Sequence, residues 1–188
     1  MTGAPLVLDV ETQRLAQEVG GWAFVDRLGL AAAVTLDVQT GDVRRYVEAD
    51  APALVQQLTG AATIVGYNLI RFDYQVLRPY GLDPSDLLIG RRTIDLLDHL
   101  YRALGFYVSL DNVAGATLGA GKTADGFAAV TWYRQGLIDK LLDYCEEDVL
   151  ITNRLWQHGL RTHAVRIRDR NMRLRDVPVV WQATGEDA

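Results

Sequence analysis

Two acids in an oily stretch pose the first chemical question. The segment Leu6-Val7-Leu8-Asp9-Val10-Glu11-Thr12 is an apolar run rich in strand formers, yet Asp9 and Glu11 interrupt it at a spacing of two. In a strand that spacing sends both side chains to one face. Side-by-side carboxylates repel and each loses hydration, so both stay ionised only with a cation between them. Oxygen ligands select a hard ion, which means magnesium or manganese rather than zinc. A competing reading ends the strand at Leu8 and leaves both acids in a solvated turn.

Acids recur in two further places where packing alone would not put them. Gly66-Tyr67-Asn68-Leu69-Ile70-Arg71-Phe72-Asp73 follows a short apolar strand and opens a helix, so its early residues point to the sheet end where ligands bind in α/β folds. Asn68 is there either a helix N-cap or a substrate contact. Phe72 reads as core, and Asp73 lies in an apolar-rich turn. Later, Tyr144 and Asp148 stand four residues apart on a helical face shared with Leu141, Ile151 and Leu155, which turns them inward. An inward aspartate needs a partner, either a metal shared with Asp9 and Glu11 or the hydroxyl of a buried tyrosine. With a phenol pKa of about 10, Tyr144 is a poor base at neutral pH, but its hydroxyl can orient a water.

The elements that must position these residues follow from periodicity. Leu6 to Val10, Leu28 to Val38 and Val43 to Glu48 read as three antiparallel strands, with Thr40-Gly41-Asp42 as a hairpin turn and Gln13 to Gly21 as a short helix or ordered loop. Alternation then begins: helix near Pro52 to Leu58, strand Thr63 to Val65, helix Ile70 to Arg78 stopped by Pro79 and Gly81, strand Thr93-Ile94, helix Leu96 to Leu104 with Asp95 as its N-cap. Helical patterns follow at Leu110 to Leu118 behind Ser109, at Phe127 to Gln135 and at Leu137 to His158; Trp132 and Trp156 fall at core spacing. Val165 to Trp181 alternates around Asp169-Arg170-Asn171 as a terminal hairpin. The sum is an α/β chain with a mixed five-stranded sheet, three antiparallel strands and then parallel ones, flanked by helices.

Composition sets the outer bounds. The 188 residues, 49% of them hydrophobic, fit one domain, with a core over about 4–160 and an Arg-rich hairpin or tail over 161–188. One cysteine, Cys145, excludes an internal disulfide framework or thiolate cage and favours a reducing, cytoplasmic setting. No signal-type or membrane-spanning run is present, so a soluble protein without a membrane partner is expected. The net charge of −5 argues against a phosphate-rich partner at first sight. Metal-bound acids do not repel such a partner, however, because the ion's charge reverses the local field. Basic charge is also uneven: seven of the seventeen arginines lie between Arg154 and Arg175. Arg166, Arg168, Arg170, Arg173 and Arg175 form one cationic face that guides a nucleic-acid strand, docks a partner, or merely protects an edge strand from aggregation.

Taken together, Asp9-x-Glu11, Asn68-x3-Phe72-Asp73 and Tyr144-x3-Asp148 resemble the three motifs of the DEDD exonuclease superfamily in its tyrosine-containing branch, and the second motif resembles that of family B DNA polymerase proofreading domains. The likeness covers most of the chain: Thr93-Ile94-Asp95, Ser109-Leu110-Asp111 and Lys122-Thr123-Ala124-Asp125-Gly126 are similar to segments of free-standing bacterial members with an RNase-H-like fold. The resemblance implies hydrolysis of phosphodiester bonds from a 3′ end with two divalent cations, Mg2+ or Mn2+. By the same likeness Asp9 would bridge both ions, Glu11 and Asp148 would complete the site of the ion that activates water, Asp73 would support the second ion, and Tyr144 would orient the water. Thr12, Asn68, Phe72 and Lys122 would meet substrate. The segment Gln13 to Trp22 departs from the short glycine-containing turn that often follows the first motif. With no accessory domain in the chain, choice of substrate would rest on a protein partner or on the tail.

Three other readings compete. Ala116-Thr117-Leu118-Gly119-Ala120-Gly121-Lys122-Thr123 satisfies a relaxed phosphate-loop pattern and would bind ATP, provided a strand precedes it and a helix follows. A metal-dependent endonuclease or junction resolvase would need the same acids. A non-catalytic nucleic-acid-binding module has no chemical reason to keep them.

Overall fold

The computed structural model describes residues 5–83, 92–119 and 126–181. Its centre is β1 (Pro5–Thr12), which pairs antiparallel with β2 (Leu30–Asp37) and parallel with β4 (Thr63–Gly66). β3 (Val43–Val47) and β5 (Thr93–Asp95) complete a sheet of order β3-β2-β1-β4-β5. The antiparallel meander and the parallel strands after it are those the sequence pattern predicts. β1 continues through both acids, which rules out the solvated turn after Leu8. Gly66 ends β4 where the backbone of β1 comes close: a Cβ there would lie 2.9 Å from the Leu8 carbonyl oxygen.

Alternation along β1 divides its side chains between two apolar layers. Leu6, Leu8 and Val10 pack with α1 (Ala51–Gly60) and the short α2 (Asp73–Leu77). Val7 faces the other layer, built on α3 (Leu96–Leu104), α4 (Leu110–Leu118), α5 (Gly126–Arg134) and the long α6 (Ile138–Thr162). Period two therefore places Asp9 and Glu11 on the α6 side. Trp156 is buried there, while Trp132 is only partly buried, its ring edge-on to Tyr144 at 5.6 Å.

The chain ends in a two-stranded hairpin, β6 (Ala164–Arg168) and β7 (Leu174–Pro178). Val165, Ile167, Val177 and Trp181 join the α6-side core. Trp181 occupies the space that a side chain at Gly159 would fill. The outer edge of β6 is covered in an unusual way. Asn112 both donates to the Arg168 carbonyl (3.0 Å) and accepts from the Arg168 amide (2.8 Å), and Thr117 does the same for Arg166 (3.1 and 2.8 Å). Two side chains of α4 thus complete the strand's edge as a neighbouring strand would.

One sequence expectation needs correction here, and one competing reading falls. The helix predicted over Ile70 to Arg78 is shorter, Asp73–Leu77 followed by a 3-10 turn Arg78–Tyr80, so Asn68 does not cap it. Asn68 instead adopts φ +75° and donates its backbone N–H to Asp95. The phosphate-loop reading also fails on its first requirement, because α4 and a left-handed Gly119, not a strand, precede Ala120. Lys122, proposed to meet substrate, lies outside the described residues.

Candidate metal centre

The acids converge where β1 meets α6. Carboxylate oxygens of Asp9, Glu11 and Asp148 all lie within 4.8 Å of one another. Glu11 is 9% exposed and Asp148 3%. Helical spacing brings Tyr144, also buried, onto the same face of α6 as Asp148. Asp73 stands outside that threefold group but next to it. Burial first, and then the Asp9 charge, raise its carboxyl well above the ordinary aspartate range, opposed by its own backbone N–H and that of Val10. Its Oδ1 is buried with no hydrogen-bond partner.

That orphaned oxygen is the sharpest test of whether a cation fits. A buried polar atom without a partner costs about 1–3 kcal/mol, more if charged. Together with three converging carboxylates, all hard oxygen donors, it suits a divalent metal ion. The nearby sulfur does not join the set. Cys145, fully buried, donates its thiol to the Asp9 carboxylate and backbone oxygen, both at 3.3 Å, and burial and the Asp9 charge push the thiol up so that it stays protonated. Sequence reasoning used Cys145 only as evidence on compartment; its position three before Asp148 on α6 was the available signal that it faces the acids.

Asp95 was legible as a helix N-cap but not as the brace of the second motif. Its side chain accepts from Leu97 and Asp98 N–H at the start of α3, and also from Asn68 and Ile70 N–H. One buried carboxylate therefore fixes the loop that leads to Asp73. Burial raises its pKa despite these hydrogen bonds.

The remaining predicted contacts divide. Thr12 is buried, its hydroxyl donated to the Arg14 carbonyl (3.0 Å), and the β1–β2 register shifts between Glu11 and Thr12. Asn68 and Phe72 line a cleft of about 1050 Å³ whose opposite wall is Trp22, Phe24 and Arg27. Phe72 is half-buried, packed against the α2-side core on one side and forming cleft wall on the other; its ring centroid is 6.4 Å from that of Trp22. None of Asp9, Glu11, Asp148 or Tyr144 lines the cleft, which adjoins the acids only through Phe72 and the chain on to Asp73. The Trp22 wall comes from the segment that departs from the exonuclease pattern. It is two 3-10 turns, Ala16–Val19 and Trp22–Arg27, tied to the end of α5 by Glu18 and Arg134 (2.6 Å).

Among the described residues, no helix is long and apolar enough to cross a membrane. No protein of curated function matches the chain in sequence. The RNase_H_2 model of the RNase_H superfamily matches residues 6–159, from β1 through nearly all of α6. That span carries the sheet, the buried acids and the helix that closes over them, and both the fold and the acidic group point to a metal-dependent nuclease acting on nucleic acid: the chain belongs to the RNase H superfamily.

Proposed function

We propose that this protein is a 3′–5′ exonuclease of the tyrosine-containing DEDD type, releasing nucleoside monophosphates from the 3′ end of nucleic acid, with DNA favoured over RNA. The observation that carries the reading is the convergence of Asp9, Glu11 and Asp148 within 4.8 Å, beside a buried Asp73 oxygen that has no partner. Asp9, Glu11 and Asp148 would hold one divalent cation, and Asp9 with Asp73 a second. Bound there, Mg2+ or Mn2+ would neutralise the phosphate and acidify water.

The chain's own groups then have distinct tasks. Tyr144, held edge-on against Trp132 and one helical turn before Asp148, would orient the attacking water through its hydroxyl. Attack at phosphorus breaks the bond to the 3′ oxygen, which leaves on the shortened strand as the 5′-monophosphate departs. Asn68 and Phe72 shape the pocket for the terminal nucleotide, Phe72 by stacking on its base. Buried carboxylates that repel one another in the metal-free protein are kept because catalysis uses them.

An end-labelled oligonucleotide distinguishes this reading from its rivals. With Mg2+ or Mn2+, a 5′-labelled strand should shorten stepwise from its 3′ end, and Asp9→Asn or Asp148→Asn should abolish the ladder. Internal cuts would replace the proposal by an endonuclease, and binding without cleavage by a non-catalytic module.

A further inference from the structure

A second cavity, about 680 Å³, lies between the turn that carries Phe106 and Tyr107 and the β6–β7 hairpin, and is lined by Arg168, Arg170 and Arg175. Tyr107 lines this cavity and also the cleft of Trp22 and Phe72. We propose that the two cavities form one track for single-stranded nucleic acid, entered over the Arg-rich hairpin, crossed at Tyr107 and ending in the cleft at Phe72, the residue before Asp73. This rests on the exonuclease reading above and adds to it the path of the substrate's upstream nucleotides over the hairpin.

The composition of the track favours a nucleic acid over an acidic peptide. Single strands are bound by cations that follow the backbone, interleaved with aromatic faces on which bases stack. Trp22, Phe106 and Tyr107 are all exposed, at 72%, 41% and 51%. Contiguous exposed apolar surface marks an interaction site where single scattered residues do not, and Phe106 and Tyr107 adjoin in one cavity. Arg168, Arg170 and Arg175 are exposed alongside them. The one acid in the second cavity, Asp169, has its Oδ1 tied into the hairpin turn by the N–H groups of Asn171 and Arg173 (2.8 and 2.9 Å). Arg166 is not part of the track, since Asp176 binds it at 2.7 Å. The cationic face read from the sequence is therefore divided: Arg168, Arg170 and Arg175 line the cavity, whereas Arg166, paired with Asp176, and Arg173 do not.

The track is also rigid. Tyr67, at the end of β4, donates its hydroxyl to the Val108 carbonyl (2.6 Å), and Tyr101 stacks on Tyr107 with centroids 4.5 Å apart. Arg71 lies 5.2 Å from the Tyr107 ring centroid, a cation held where the two cavities meet. Asn112 and Thr117 fix β6 against α4. A preorganised surface of this kind loses little conformational freedom on binding.

The test compares the full-length protein with Arg168→Gln/Arg170→Gln/Arg175→Gln and with Tyr107→Ala and Tyr107→Phe, each checked for an unchanged melting curve. Exonuclease kcat/KM is measured on a deoxytrinucleotide and a single-stranded 12-mer, with 12-mer binding followed by anisotropy in EDTA at several salt concentrations. The wild-type 12-mer should be preferred by about tenfold or more, as for one or two extra stacked bases. In the triple variant the preference should fall severalfold, the stacking rings being retained, and the slope of log K against log salt should shrink by about 2, three cations at about 0.7 each. Tyr107→Ala should lose about tenfold in 12-mer binding and Tyr107→Phe should retain it. An unchanged length preference and salt slope in the triple variant would overturn the track while leaving the active-site reading intact. Equal binding of blunt duplex, or equal competition by polyglutamate of the same charge, would also overturn it. If the wild type shortens neither substrate, the exonuclease reading fails first and the track with it.

Discussion

Adding Mn2+ should stabilise this fold, and Asp9→Asn should cancel the effect. In the metal-free protein, Asp9, Glu11 and Asp148 hold like charges within 4.8 Å, and Asp73 lies beside them with an unpaired buried oxygen. A ligand that binds only the folded state contributes about 2.7 kcal/mol at a hundredfold excess over its Kd. For 188 residues the unfolding entropy near 60 °C is about 0.4 kcal/mol/K, so one occupied site raises Tm by about 7 °C and two by up to about 14 °C. Asp9 serves both proposed positions, and its replacement should reduce the Mn2+ shift to about 2 °C or less. The same substitution removes one of the repelling charges, so the metal-free variant should melt above the metal-free wild type. Asn retains an oxygen to accept the Cys145 thiol, which keeps the local packing. Differential scanning calorimetry in EDTA and in Mn2+ gives all four numbers. A variant that melts lower without metal and keeps the full Mn2+ shift would refute the argument.

Asp73→Asn should flatten the pH dependence of metal-free stability. A carboxyl raised by burial and by Asp9 holds its proton in the folded state after the unfolded chain has lost it. Its stabilising contribution is complete below the unfolded aspartate pKa of about 4 and declines as pH rises through the raised folded value, by about 1.4 kcal/mol per pH unit. Urea titrations in EDTA between pH 4 and 8 should show that decline in wild type and much less of it in the variant. Asp95→Ala removes the acceptor of four N–H groups and should cost about 3 kcal/mol, with loss of exonuclease activity through the displaced Asn68–Asp73 loop; an active, equally stable variant in urea melts and the ladder assay would contradict the brace. Gly159→Val should force Trp181 off α6 and destabilise by about 1–3 kcal/mol, with a red-shifted tryptophan emission; a variant of wild-type stability and spectrum would show that the hairpin is not seated there.

What could be read without coordinates was whatever local periodicity encodes. Asp9 and Glu11 share a strand face because the pleat repeats every two residues, and Tyr144 and Asp148 share a helix face because four residues make about one turn. The mixed character of the sheet, antiparallel strands and then parallel ones, followed from the shift between a meander and helical crossovers. The parts that were not legible depend on partners distant in sequence. Asn68 looked like a cap because the acceptor that draws its loop into a turn, Asp95, stands 27 residues on. That Phe72 also walls a cleft was hidden because its facing ring, Trp22, comes from a segment with no recognisable period. The hairpin's alternation was visible, but not that Asp176 would take Arg166 out of its cationic face.

The central claim is that four carboxylates from β1, α2 and α6 share a pair of cations. Crystals soaked with Mn2+ and a nucleoside 5′-monophosphate, and measured at the manganese edge, test it directly. Two anomalous peaks are predicted, one among Asp9, Glu11 and Asp148 and the other between Asp9 and Asp73. Manganese bound elsewhere, with none at Asp9, would contradict it.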